Sequence, residues 1–196
     1  MTEPAAADNG REGLGTWRTR TIVATMFPLL VVLSVLEMGS GYVLESLEAT
    51  YLDNPTLLVL VPVMIGMGGN LGAIFSARLS TRLHLGTLSF APRDEALWAN
   101  VAAIMCLATT VFAALAVAAW VVGRTIASPM GFADLVVISL VSGLLLAALA
   151  VCISVAATYL SYRRGLDPDD TTIPVVTNVC DILGVIVLSA VATLVL

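Results

Sequence analysis

The chain has 196 residues, 59% of them hydrophobic and only 12% charged, with 14 acidic against nine basic residues and a net charge of −5. Soluble domains hold roughly 45 to 50% apolar residues, so this composition, with a mean hydropathy of +0.98, describes an integral membrane protein with no room for a separate soluble domain. Nucleic-acid binding is excluded as well: the nine basic residues are all Arg and form no stripe that could displace counterions from phosphates.

Residues 1–20, MTEPAAADNGREGLGTWRTR, are small and polar and hold three of the nine Arg. They are expected to be a mobile cytoplasmic tail ending on Trp17 as an interfacial anchor. They do not form a secretion signal, because the apolar stretch from Thr21 to Leu36 is longer than an h-region and lacks an A-x-A cleavage site. Windows of about 20 apolar residues predict five transmembrane helices, at 21–47, 55–83, 96–122, 132–162 and 172–196, hence an all-α transmembrane domain over 21–196.

The first span carries Glu37 and Glu45, eight residues apart and therefore on one side of a helix. Glu45 and Glu48 are expected at the solvated interface. Glu37 lies deeper, and Arg78 is the counter-ion on offer. After the connector EATYLDNP, the second span contains VPVMIGMGGNLGAIFSARLSTRLHLG, where Pro62, Gly66, Gly68, Gly69 and Gly72 surround a single Asn70. Small residues at this spacing let helices approach closely. They also permit a local break whose carbonyls and Asn70 face a water-filled cavity. His84 has no Cys or His partner in sequence and reads as an interfacial residue.

The connectors HLGTLSFAPRDE, GRTIASPMG and RRGLDPDD separate the remaining spans. Cys106, Cys152 and Cys180 all sit in apolar runs without a C-x-x-C pattern, so they are free thiols rather than a zinc or redox site. Before the last span, Asp167, Asp169 and Asp170 complement the helix dipole, and Pro174 is predicted in its first turn. Asp181 lies seven residues beyond Pro174, about 10 Å deeper. Thr177 and Asn178 share its face at i, i+4 and i, i+3 spacing. A carboxylate in hydrocarbon costs on the order of 2.5 to 3.5 kcal/mol, so such groups belong to pathways and relays.

Placing the N-terminus in the cytoplasm puts eight Arg on that side and Arg124 alone outside, as the positive-inside rule requires. Leu196 then ends at the outer face. The embedded inventory of carboxylates, amides, hydroxyls and carbonyls is made of hard oxygen ligands, which suit Mg²⁺, with Ca²⁺ or Mn²⁺ as alternatives. Because Mg²⁺ dehydrates reluctantly, one carboxylate can hold its water shell from outside. One Asp per chain then suffices if two chains pair across an axis, as a homodimer or with a sister chain. The residues also allow an exchanger coupled to Na⁺ or H⁺ through Glu37, Glu45 or Asp181. An intramembrane enzyme would need a second deep aspartate, and a non-transporting scaffold would need a salt-bridge partner for Asp181.

GMGGNLGAIFSARLSTRLHLG and DPDDTTIPVVTNVCDILG together resemble the two signature segments of the MgtE magnesium channels and the related solute-carrier magnesium transporters of animals. The resemblance covers essentially the whole chain as one five-helix module. It implies a dimer whose second and fifth helices line the pore, with a fifth-helix aspartate binding hydrated Mg²⁺. That aspartate matches Asp181, the aspartate before the helix proline matches Asp167, and the glycine-asparagine break matches Gly66, Gly68, Gly69 and Asn70. With Thr177, Asn178, Glu37 and Glu45 these make up the candidate ion-handling residues. Ala73 and Ile173 depart from the bacterial pattern, which has Asn near both positions. The bacterial channels also carry a cytosolic N-terminal domain and CBS domains. Here such gating is expected to be absent or supplied by a separate regulatory protein. Animal members hold two modules in one chain, which implies that a single module pairs.

Overall fold

The structure, a computed structural model, describes residues 19–87, 90, 93–126, 130–165 and 168–196, the side chains of 19–22, 25 and 168–170 excepted. These residues form six helices, α1 (Thr19–Ser46), α2 (Glu48–Asp53), α3 (Pro55–His84), α4 (Glu95–Thr125), α5 (Phe132–Arg163) and α6 (Pro168–Val195). No strand occurs among the described residues. Every helix but α2 is long and apolar enough to cross a membrane, so the five predicted spans are recovered.

Three local expectations change. The connector EATYLDNP is mostly the short helix α2, and Pro55 at the start of α3 restarts the chain where a missing N–H costs nothing. The glycine-rich stretch of α3 does not break: the helix is continuous from Pro55 to His84. Pro174 is inside α6 rather than in its first turn, because Pro168 takes the first position. The extra turn is held against α5 by hydroxyls, Ser161 Oγ lying 2.9 Å from Thr171 Oγ1 and Thr172 Oγ1 donating to Ser161 Oγ at 3.5 Å.

Helix ends follow the local sequence. Gly86 and Gly165, at φ 66° and 67°, take the left-handed conformation that closes a helix without a Cβ clash. Around the first, the Gly86 N–H donates to Leu83 O at 3.0 Å and Thr87 N–H to Arg82 O at 2.9 Å. Asp94 caps α4, its Oδ1 accepting from the N–H groups of Ala96 and Leu97 at 3.0 Å while facing Arg82 Nη2 at 3.6 Å. Asp94→Ala should therefore lower stability by about 1 kcal/mol, read as a lower thermal midpoint of the detergent-solubilised protein.

The Arg82–Asp94 pair, the Ser161–Thr171 contact and an edge-on stack of Phe90 against Tyr159 bring the ends of α3, α4, α5 and α6 together on one side. At the other end, Trp120 stacks edge-on against Phe132, with the Arg124 guanidinium 5.0 Å from the indole centre. Trp98 and Trp120 are about 33 Å apart along α4, which matches a hydrocarbon layer of about 30 Å between two aromatic belts.

The interior is built by α3, α4, α5 and α6 around Phe75, Phe112, Leu57, Met64 and Leu146, all fully enclosed. α6 lies against both α3 and α5. α1 differs: only 6% of its apolar window is buried, against 44% in α3, α5 and α6. Leu33 is the one buried hydrophobic residue among its described side chains, and the helix packs mainly on α6. α2 is tied down by Tyr51, whose hydroxyl lies 2.7 Å from Ser189 Oγ in α6. Burial pushes this phenol above its ordinary pKa. Tyr51→Phe leaves a buried Ser189 hydroxyl without its partner and should cost about 1 to 2 kcal/mol, again read from the thermal midpoint.

Candidate ion-handling site

The site grows out of one helix crossing. α3 and α6 run antiparallel, and glycines let their backbones approach. A Cβ on Gly184 would come 3.1 Å from the Met64 carbonyl oxygen, so α6 rests directly on the α3 backbone there. One turn back along α6, Asp181 Oδ1 occupies the space in front of Gly69, where a Cβ would come within 2.8 Å of that oxygen and 2.9 Å of Thr177 Cγ2. At the next turn Val176 and Cys180 fill the space beside Gly72. The close-packing reading of the glycines thus holds, and the glycine at 69 serves as the seat of a carboxylate.

Asp181 Oδ1 is enclosed and has no hydrogen-bond partner among the described residues. The side chains beside it supply none. Thr177 Oγ1 donates to Ile173 O at 2.9 Å, and Asn178 Nδ2 donates to Pro174 O at 2.9 Å. The Thr177 hydroxyl proton and one N–H of the Asn178 amide are spent on their own helix, while the Thr177 lone pairs and the Asn178 side-chain carbonyl remain as acceptors. The stretch is therefore rich in oxygen acceptors, with one charge that forms no ion pair among the described residues. Glu37 of α1 interacts electrostatically with Asp181, which places a second acid, not an arginine, in its field. Arg78, the expected partner of Glu37, instead donates through Nε to Asn100 Oδ1 of α4 at 2.6 Å.

The other candidates are placed as follows. Gly66 and Asn70 are exposed on a neighbouring face of α3, in line with Pro62 and Ile74, and are not brought onto Asp181 within one chain. Glu45 is exposed and lines a separate cavity of about 420 Å³ with Glu48, Tyr51 and Pro62. Asp167 lies outside the described residues. Among the described residues no three His, Cys, Asp or Glu side chains are grouped to hold a metal ion. A bare, caged ion is thus not what this arrangement fits. A single carboxylate flanked by neutral oxygens suits an ion that keeps its water. Sequence reasoning missed Gly184, although a glycine one turn past a buried acid was the available signal. It also missed Ser154, whose Oγ donates to Gly72 O at 3.3 Å and pins α5 to the same stretch of α3.

Residues 61–191, from the second turn of α3 to the last turns of α6, match the MgtE family, described as a divalent cation transporter. The chain belongs to the MgtE family. The match includes both sides of the Gly69–Asp181 contact and leaves α1, with Glu37 and Glu45, outside it. Two curated proteins are also similar to this MgtE chain. Solute carrier family 41 member 3 of Mus musculus is 27% identical over 175 residues, covering 81% of this chain and 35% of that protein. Its Rattus norvegicus counterpart is 27% identical over 162 residues, covering 78% and 34%. The chain spans about a third of the length of these relatives. With five apolar membrane-crossing helices and a transporter family around them, this is a multi-pass membrane protein, and the intramembrane-enzyme reading falls away.

Proposed function

We propose that this MgtE chain carries divalent cations, Mg²⁺ foremost, across the membrane, and that Asp181 is the group that holds the hydrated ion. The observation that carries the reading is the Asp181 carboxylate oxygen enclosed against Gly69 with no hydrogen-bond partner or ion pair among the described residues. A half-buried charge left so is disfavoured unless something else balances it, and a divalent ion in its water shell would supply that balance. A scaffold protein would have answered Asp181 with an arginine.

One carboxylate per chain is a weak site, and two copies meeting across a membrane-normal axis would double the charge facing the ion. We place α3 and α6 along the conduit, with the exposed Gly66 and Asn70 face of α3 turned towards the pore or the second copy. Residues 21–196 form the transport unit, with residues 1–20 and the arginine-rich ends on the cytoplasmic side. In that orientation a negative-inside potential favours entry of a divalent ion by about 4.6 kcal/mol per 100 mV.

A second reading, an exchanger coupled to H⁺ or Na⁺, is favoured by the presence of Glu37 in the field of Asp181, since two acids close together can trade a proton or a second cation. Uptake by proteoliposomes under an imposed potential separates the two. Mg²⁺ entry without a Na⁺ or pH gradient supports the conduit, and entry that needs either gradient supports the exchanger. The absence of Mg²⁺, Ca²⁺ and Mn²⁺ uptake under every condition overturns both.

A further inference from the structure

A wide cavity lies away from the α3–α6 crossing. It is a groove of about 860 Å³ between α4 and α5, walled by Leu97, Trp98, Val101 and Met105 on one side and Val151, Cys152 and Val155 on the other. We propose that this groove binds one anionic phospholipid from the leaflet on the arginine-rich side.

Three observations choose the occupant. First, the walls belong to membrane-crossing helices, so an apolar ligand at this depth comes from the bilayer. Second, the α5 wall runs from Ala148 to Tyr159, about 16 Å at 1.5 Å per residue, the depth of one leaflet's hydrocarbon, about 15 Å. An acyl chain entering at the rim ends where the groove ends. Third, the rim is amphipathic. Trp98, Tyr159 and Phe90 gather at the end of the groove that opens towards the helix termini, Phe90 edge-on to Tyr159. The exposed Arg163 sets its guanidinium 5.8 Å from the Tyr159 ring centre. Aromatic rings with a cation beyond them are the side chains that meet a headgroup. Exposed Arg93 precedes α4, and Arg164 follows Arg163. Among the described side chains of this rim, Glu95, one turn before Trp98, is the acid not engaged elsewhere, while Asp94 faces Arg82 and the α4 amides. The balance of these described groups is positive and favours a negative headgroup.

Trp98 itself reports the occupant, once the other two tryptophans are removed by Trp17→Phe and Trp120→Phe in the full chain. The protein is reconstituted in phosphatidylcholine vesicles containing increasing fractions of brominated phosphatidylglycerol or, separately, brominated phosphatidylcholine. Trp98 fluorescence should be quenched at a mole fraction of the anionic lipid roughly fivefold lower, the preference expected of one cation at the membrane surface. Arg163→Gln should remove that preference while leaving quenching by both lipids. Ala156→Phe, which fills the groove, should reduce quenching to the level of bulk lipid. Equal quenching by the two lipids in the starting protein means annular lipid only and overturns the proposal. A preference that survives both substitutions also overturns it. So does a Trp98 that neither lipid quenches, which would mean that a protein surface covers the groove.

Discussion

Asp181→Asn is expected to abolish most divalent uptake, by at least ~10-fold and towards the ~100-fold typical of disturbing an ion's ligand environment. The substitution keeps the shape of the side chain, so the seat on Gly69 is preserved and only the charge goes. Its effect on stability should run the other way. A carboxylate with one oxygen enclosed and unpartnered among the described residues is a burden on the folded state, and the neutral amide relieves it. The variant should melt at the wild-type temperature or above in metal-free buffer, and the shift of the wild type on adding Mg²⁺ should vanish. Asp181→Glu retains the charge but adds a methylene where a Cβ on Gly69 would already be only 2.8 Å from the carboxylate oxygen. It should recover part of the flux at a cost in stability. Uptake by Asp181→Asn at the wild-type rate would remove Asp181 from the transport path.

Gly184→Leu should damage the fold severely. A Cβ at this position faces the backbone of Met64 and Ile65 at 3.1 to 3.5 Å, and a helix backbone cannot swing aside as a side chain can. The three carbons beyond the Cβ force α6 off α3, which opens the seat of Asp181 as well. Overpacking of this kind costs about 1 to 3 kcal/mol and at times more, enough to exhaust much of a marginal stability. The expected readouts are a thermal midpoint lowered by many degrees and an aggregated elution profile in mild detergent. Gly39→Leu is the matched control. Nothing lies within 4 Å of that site on α1, so its midpoint should stay near wild type. If both variants behave alike, the crossing at Gly184 does not hold the helices together.

The spans were legible because lipid imposes a demand that sequence meets locally, about 20 apolar residues per crossing. The helix ends at Gly86 and Gly165 were legible for the same reason, since a left-handed residue before a turn is a one-residue requirement. The cost of Asp181 could also be read, and so could its stripe with Thr177 and Asn178. What could not be read was which glycine it meets. That depends on the register of α3 against α6, set by side chains on both helices together. The same holds for Arg78, which sequence pairs with Glu37 by charge but the fold pairs with Asn100 by proximity. Pro174 misled because a proline near a helix start usually opens it. Here the Ser161, Thr171 and Thr172 hydroxyls support a further turn before it.

The contrast in burial between α1 and its neighbours divides the sequence into two regimes of tolerance. Side chains such as Phe112 and Met64 must fit partners on facing helices, and even one extra carbon has to be accommodated. Val23, Phe27, Val32 and Val35, all exposed on α1, face a solvent that asks only for hydrocarbon, and fluid lipid reshapes itself around whatever branching it meets. Random exchange among Val, Ile, Leu and Phe should therefore pass almost unnoticed along α1 and be purged along α3 and α6. In a saturation library, α1 would stand out as a helix under selection for solubility in oil, with Leu33 and Glu37 as its fixed points.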